Sequence, residues 1–322
     1  MNLDSEKVEY WTDRFREFDR DPKLSRFPDR VTVELTNECN LNCSMCPRKS
    51  MASERGYLDF GLYRKIMDEI LSEDISTKVV LFFRGESLLH PDFKRILQYA
   101  AGNGLKDISL ATNATLLDRE MSDFILGTGI KFISFSIDAS SEENYARQRK
   151  GAEYKKVMSN ILYFSQRREE LGLSLPETQV SLVETEVTKD DVGDFVDFWT
   201  SKVDRVRIYK EHSKNGGFGG GVDQSEVPVF PCRFPCPKVI TDIVIYWNGE
   251  VAICNHDWDR KEAMGDVNRD SISKLWKSKR YSAIREKHMN SRISDESPCS
   301  NCDYWKTFYL DTGMFGELHT RL

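Results

Sequence analysis

The stretch Val31-Thr32-Val33-Glu34-Leu35-Thr36-Asn37-Glu38-Cys39-Asn40-Leu41-Asn42-Cys43-Ser44-Met45-Cys46 sets three cysteines directly behind a short apolar run. Three thiolates in a C-x3-C-x2-C spacing can hold three irons of a cubane cluster and leave the fourth iron open to another molecule. A structural zinc site normally takes four protein ligands, so this group is one short of closing such a site. Working outward, the run Val31–Leu35 is the first of six. Val79–Phe83, Ile108–Ala111, Phe132–Ile137, Gln179–Glu184 and Arg205–Tyr209 come after it. Between them Gly61–Leu71, Asp92–Ala101, Arg119–Leu126, Tyr154–Leu171 and Asp190–Trp199 carry apolar residues at helical period. Strand and helix alternating in this way predict a parallel α/β architecture. Periodicity leaves barrel and doubly wound sheet open, but in both the ligands gather at the carboxyl ends of the strands.

The chain of 322 residues is 30 % charged and 39 % hydrophobic, with a net charge of −6 and a mean hydropathy of −0.53. That length accommodates one large domain and a smaller one. An acidic chain offers nucleic acid no electrostatic footprint. No run of about 18 apolar residues is present, and the charged stretch Met1 to Arg20 does not read as a signal peptide, so the expectation is a cytoplasmic protein with no membrane partner. In that compartment thiols stay reduced, and the eight cysteines read as metal ligands rather than disulfides.

After residue 214 the pattern changes. Asn215-Gly216-Gly217-Phe218-Gly219-Gly220-Gly221 reads as a flexible link or loop. Val239–Tyr246 and Glu250–Cys254 flank Trp247-Asn248-Gly249, a strong hairpin signal. One amphipathic helix is expected over about 271–288, and then the pair Cys299-Ser300-Asn301-Cys302. Four thiolates, Cys236, Cys254, Cys299 and Cys302, suit either a closed zinc site or a second [4Fe–4S] cluster. Cys232 is left over. It reads as a small partly buried side chain, as an exchanging ligand, or as a thiol hydrogen-atom donor.

The Cys39–Cys43–Cys46 loop behind a strand resembles the cluster loop of the radical S-adenosylmethionine (SAM) superfamily. That resemblance tips the fold to a partial (β/α)6 TIM-type barrel over residues 28–214, after an N-terminal extension, 1–27. It also implies a [4Fe–4S] cluster whose open iron takes the amino and carboxylate groups of SAM. Phe83-Arg84-Gly85-Glu86-Ser87 stands where the superfamily carries a Gly-Gly-Glu-Pro-like turn, with Arg84 and Ser87 in the outer places; Gly85 and the Glu86 carboxylate are then expected to face the SAM amino group. Thr112-Asn113 comes directly after the third run, so Asn113 joins the SAM set. Ser136 and Arg149, with Arg147 as a substitute, are implied to hold the SAM carboxylate. Without the resemblance Ser136 is a strand-end hydroxyl and the arginines are solvated helix charges. Glu184, Glu186, Tyr209, Lys210, Glu211 and His212 lie near the ends of the last two runs and either face a substrate or sit on the rim.

The second cysteine group, with Gly249 between Cys236 and Cys254 and a closing Cys-x2-Cys, resembles the twitch form of the SPASM extension. It occupies residues 228–322 beyond a linker, 215–227. A full SPASM domain has about seven cysteines here, whereas this region has five, which implies one auxiliary cluster and two [4Fe–4S] clusters in all. The pattern looks most like the single-cluster dehydrogenases of aminocyclitol antibiotic biosynthesis. That likeness implies a 5′-deoxyadenosyl radical that takes a hydrogen atom from a sugar or cyclitol carbon. The auxiliary cluster accepts the second electron, Glu184, Glu186 or His212 acts as base, and a flavodoxin or ferredoxin serves as reductant. Three alternatives stay open: an epimerase using Cys232, a peptide or sulfatase maturase, and a zinc-stabilised binding protein. The maturase is the less expected because no extra peptide-recognition domain is evident before Val31.

Overall fold

The computed structural model describes residues 3–51, 53–218, 227, 229–310 and 316–321. Each of the six apolar runs is a strand: β1 Arg30–Val33, β2 Lys78–Val80, β3 Ile108–Thr112, β4 Phe132–Ser136, β5 Glu177–Glu184 and β6 Arg205–Lys210. They lie side by side in chain order, every pair parallel. Doubly wound sheets reverse their strand order at a switch point. This one does not, so the barrel alternative is the observed one.

The pleat separates two kinds of residue. Val31, Val79, Ile108, Leu110, Ile133, Phe135, Val180, Leu182, Val206 and Ile208 share one face and are almost fully buried. They form the core with helix residues such as Tyr63, Ile66, Leu97, Ile125, Phe164 and Trp199. The opposite face carries Thr32, Ser109, Ser134, Gln179 and Ser181, also buried, in rows with Arg205 and Arg207. A closed (β/α)8 barrel fills its interior with branched apolar side chains. Here the inner face is polar, the composition expected where ligands are bound.

The C-terminal region adds to both ends of this sheet. β7 (Asp242–Ile245) pairs parallel with β1, then β8 (Glu250–Ala252) and β9 (Ala263–Asp266) continue antiparallel. β10 (Gly316–Thr320) lies antiparallel on β6, completing a ten-stranded sheet. The expected hairpin around Asn248-Gly249 is present, with Gly249 N–H donating to the Tyr246 carbonyl at 2.8 Å. Its first arm is shorter than expected, because Lys238–Thr241 is a helical turn. The helix expected over 271–288 is two, Ile272–Trp276 and Lys279–Met289. Ser278 interrupts it by adopting an extended conformation and capping the second helix through Tyr281 N–H.

The glycine-rich stretch also departs from expectation. Gly219, Gly220 and Gly221 lie outside the described residues. Gly216 and Gly217 are not a slack link: Ser213 N–H reaches the Gly217 carbonyl at 2.8 Å and Asp303 N–H the Gly216 carbonyl at 3.0 Å. At the other terminus a helix, Ser5–Glu17, is strapped to the C-terminal segment. Asp4 N–H donates to the Tyr309 carbonyl at 3.0 Å, and Trp11 meets Phe308 edge to face.

Candidate functional site

The cysteine loop leaves the carboxyl end of β1 and is braced on two sides. Thr36 Oγ1 donates to the Gly56 carbonyl and Asn37 Nδ2 to the Glu54 carbonyl, both at 2.7 Å. Asn42 N–H and Ser44 N–H each donate at 2.9 Å, to the carbonyls of Lys150 and Gln148. The second brace brings residues 148–150 beside Cys43.

The turn after β2 packs on the same loop. A Cβ at Gly85 would stand 2.3 Å from the Thr36 carbonyl and 2.5 Å from that of Glu38, so only glycine fits. Glu86 N–H donates to the Glu38 carbonyl at 2.8 Å. Its carboxylate is buried and held from its own turn and the next strand. It accepts from Leu88 N–H at 3.1 Å, Thr112 Oγ1 at 2.8 Å and Asn113 N–H at 2.7 Å, stitching β2 to β3. Burial raises the Glu86 pKa against those hydrogen bonds. The Asn113 amide turns to the cysteine loop, 2.9 Å from Asn40 Oδ1 and 3.9 Å from Cys39 Sγ.

Ser136 ends β4 on the polar face, in register with Ser181 and, one strand on, Arg207. Arg149 caps the helix Glu142–Gln148 and pairs with the buried carboxylate of Asp138. Its Nε is buried without a hydrogen-bond partner among the described residues. Arg147 is exposed and, among the described residues, reaches only Asn144 Oδ1, at 3.4 Å, so Arg149 is the arginine turned inward.

These surroundings bear on what the three cysteines hold. Burial pushes the Cys43 thiol up to about 11, with the Arg149 charge opposing. Burial raises Cys39 too, against the Leu41 N–H and Arg48. The residues therefore suit an occupant that keeps thiolates anionic, with two buried cations and two N–H donors beside it. An iron–sulfur cluster is such an occupant.

The second group is also assembled. Cys236, Cys254, Cys299 and Cys302 line one cavity with His256, His288, Lys238, Arg233 and Tyr304. Burial raises all four thiols, Cys299 to about 12, while Lys238 lowers Cys236 and Cys254 and Arg233 lowers Cys299 and Cys302. Two cations against four thiolates again fit a cluster. Gly216 belongs here: with φ at +77° its missing Cβ would stand 2.6 Å from Cys302 Sγ. Cys232 is exposed and opens instead on a surface pocket with Phe230, Arg233, Cys302 and Trp305.

The proposed substrate residues divide. Glu184 and Lys210 pair with each other across β5 and β6 at 2.6 Å, on the alternation of Leu182 and Ile208, the core-facing side. Glu186 is 90 % exposed and pairs with Lys189. Tyr209 has the inward alternation of Arg207, and Glu211 comes after β6, half-buried. His212 lies with the second cysteine group, its ring 5.2 Å from that of His256 and 5.8 Å from Phe218. Sequence reasoning passed over Arg48, Asp138, Gln148, Arg233, Lys238, His256 and His288. His256 is close enough behind Cys254 to have drawn notice, whereas nothing in the sequence links His288 to Cys236.

The family model described as the radical SAM superfamily matches residues 33–198, more than half of the chain. The chain belongs to the radical SAM superfamily. A second model, SPASM, described as an iron–sulfur cluster-binding domain, matches residues 236–303. A radical SAM domain with a C-terminal SPASM domain is thus the observed organisation. It implies SAM and iron–sulfur clusters as cofactors. Among relatives, the tungsten-containing aldehyde ferredoxin oxidoreductase cofactor-modifying protein of Pyrococcus furiosus is 25 % identical across 87 % of this chain and 90 % of its own. The AdoMet-dependent heme synthase of Methanosarcina barkeri is 33 % identical, but over only 38 % of this chain and 34 % of its own. In fold the chain is similar to BtrN solved with AdoMet and 2-DOIA, with a TM-score of 0.53, 18 % identity, and coverage of 85 % of this chain and 92 % of that one. It is also similar to Streptococcus suis SuiB bound to its precursor peptide SuiA, with a TM-score of 0.67, 15 % identity, and coverage of 84 % and 70 %. Among the described residues no helix is long and apolar enough to cross a membrane.

Proposed function

We propose that this radical SAM enzyme dehydrogenates a hydroxyl-bearing carbon of a sugar or cyclitol. The observation that carries the reading is the second cysteine group, four thiols on one cavity with the buried Lys238 and the half-buried Arg233. In this reading Cys39, Cys43 and Cys46 hold the SAM-binding [4Fe–4S] cluster and Cys236, Cys254, Cys299 and Cys302 an auxiliary one. Bound there, the clusters supply the electron that cleaves SAM to a 5′-deoxyadenosyl radical and the acceptor for the electron the substrate gives up. Gly85 brings the β2 turn onto the cysteine loop, and Glu86 holds Asn113 against it. Ser136 and Arg149 orient the SAM carboxylate through the hydroxyl and the spare guanidinium N–H. The buried polar face of β3 to β6 excludes bulk water from the radical. In balance, the CH–OH carbon loses one hydrogen atom to the adenosyl carbon, then a proton and an electron, leaving a ketone, 5′-deoxyadenosine and methionine. The reductant that starts the cycle is a flavodoxin or ferredoxin in the cytoplasm. In this reading the radical SAM barrel spans residues 28–214 and the auxiliary-cluster domain residues 228–322.

Anaerobic reconstitution tests this reading. The expected yield is about eight irons per chain, falling to about four in Cys39→Ala/Cys43→Ala/Cys46→Ala. Turnover in heavy water is expected to give a ketone with no solvent deuterium. Deuterium at an inverted carbon, lost in Cys232→Ala, would establish the epimerase instead, and zinc without acid-labile sulfide would remove the enzyme reading altogether. The near full-length likeness to a cofactor-modifying protein favours a second reading, in which the substrate is a larger cofactor or a peptide. A ketone formed only on such a substrate would decide for it.

A further inference from the structure

We propose that His288 donates its Nε2–H to sulfur of the cluster held by Cys236, Cys254, Cys299 and Cys302, and thereby raises that cluster's reduction potential. The proposal rests on the reading of those cysteines as cluster ligands.

The argument begins with one hydrogen bond. His288 sits in the last turn of the helix Lys279–Met289, 2 % exposed, on the wall of the four-cysteine cavity. The backbone N–H of Cys236 donates to His288 Nδ1 at 3.2 Å. A ring nitrogen that accepts carries no proton, and an imidazole keeps a proton on at least one nitrogen. The proton is therefore on Nε2. That atom is buried and has no hydrogen-bond partner among the described residues. A buried donor left unmade costs about 1–3 kcal/mol, so such a group is expected to find an acceptor once the cavity is filled. Lys238 and Arg233, the cationic groups on the wall, are donors only. The four cysteines supply the sulfur acceptors. His256 also lines the cavity with an unpartnered Nε2, but no hydrogen bond fixes its tautomer.

The same backbone bond gives the role its precision. Cys236 is a proposed ligand, and its own N–H orients the ring, so ligand and donor are positioned together. An N–H directed at cluster sulfur stabilises the reduced, more negative state and moves the potential upward. An electron acceptor for a substrate radical benefits from that direction of shift. His288 is thus a positioning residue for charge rather than a catalytic one.

The test uses the full chain carrying Cys39→Ala/Cys43→Ala/Cys46→Ala, so that the auxiliary cluster is titrated alone. Iron is counted, and the potential is read by electron paramagnetic resonance, with and without His288→Leu. The expected result is about four irons per chain in both and a lower potential in the variant. A tenfold change in the reduced-to-oxidised ratio corresponds to about 59 mV for one electron. His288→Gln, which restores an N–H donor, is expected to recover part of the shift. A potential unchanged in His288→Leu at full iron content overturns the proposal while leaving the cluster assignment intact. No iron in the background protein overturns that assignment, and the proposal with it. Where both His288 variants lose iron, ring-15N histidine in the background protein carrying His256→Phe decides. A hyperfine-coupled ring nitrogen on the reduced cluster supports the proposal, and its absence overturns it.

Discussion

Arg84 occupies a place that the superfamily turn gives to glycine, and its removal is expected to be among the most costly single changes in the chain. Its Nε and Nη2 donate to the two Glu34 carboxylate oxygens at 2.6 and 2.7 Å, and Nη1 donates to the Trp258 carbonyl at 2.9 Å. Both side chains are at most 2 % exposed, and the guanidinium lies 4.0 Å over the Tyr246 ring. The pair therefore joins β1, the β2 turn and the C-terminal hairpin. Arg84→Met leaves the Glu34 carboxylate buried with, among the described residues, only the Trp247 N–H, at 3.3 Å. Removing one partner of such a pair costs about 3–5 kcal/mol, most of it the uncompensated charge. Replacing both, as Arg84→Met/Glu34→Leu, removes that charge too and is expected to cost at least about 2 kcal/mol less than the sum of the single changes. Anaerobic urea unfolding of the four proteins completes the cycle. A loss under about 1 kcal/mol for Arg84→Met, or strict additivity in the double variant, would refute the reasoning.

Close approaches and charge lead to three more expected outcomes. Gly85→Ala drives a methyl into the Thr36 and Glu38 carbonyls, so the cysteine loop must shift. Reconstituted protein is expected to lose SAM binding by at least about tenfold, or about 1.4 kcal/mol, in equilibrium dialysis, while the auxiliary cluster is retained. Gly216→Ala has the opposite selectivity. A Cβ 2.6 Å from Cys302 Sγ, on a backbone with φ at +77°, is expected to lower iron content towards the about four of the SAM cluster alone. Asp204 gives a pH signature. Burial would raise its pKa, but Arg168 and the Thr178 N–H and hydroxyl bring it down to about 2. A depressed carboxylate stabilises the fold above its unfolded pKa and loses that contribution as pH falls towards about 2. After allowance for solvent screening the effect is about 1 kcal/mol. Asp204→Asn is expected to be less stable at pH 6 by that amount, with the difference shrinking as pH falls towards about 2. An unchanged difference across that window would count against the ion pair.

Much of the architecture was legible because alternation and cysteine spacing are local properties. The six strands and most of the intervening helices come from short-range hydrophobic period, and the triplet Cys39, Cys43 and Cys46 is contiguous enough to carry the resemblance to the superfamily. Expectation failed where a local pattern was overruled from a distance. Gly216 looked like slack chain, yet its bareness admits Cys302, 86 residues further on. Ser278 looked like a helix residue but caps a new helix.

The sequence by itself set three thiols on one loop, and the resemblance they carry pointed to the superfamily whose model matches residues 33–198. The sequence also held a second set of four cysteines. Tertiary structure decided how the two meet. β7 lies on β1, so the hairpin that leads to Cys254 is an extension of the strand that leads to Cys39. It also turned Arg149 to Asp138, drew His212 to His256, and set His288 against the backbone of Cys236. These are pairings between residues far apart in the chain. They depend on sheet register and buried charge, which no window of sequence contains.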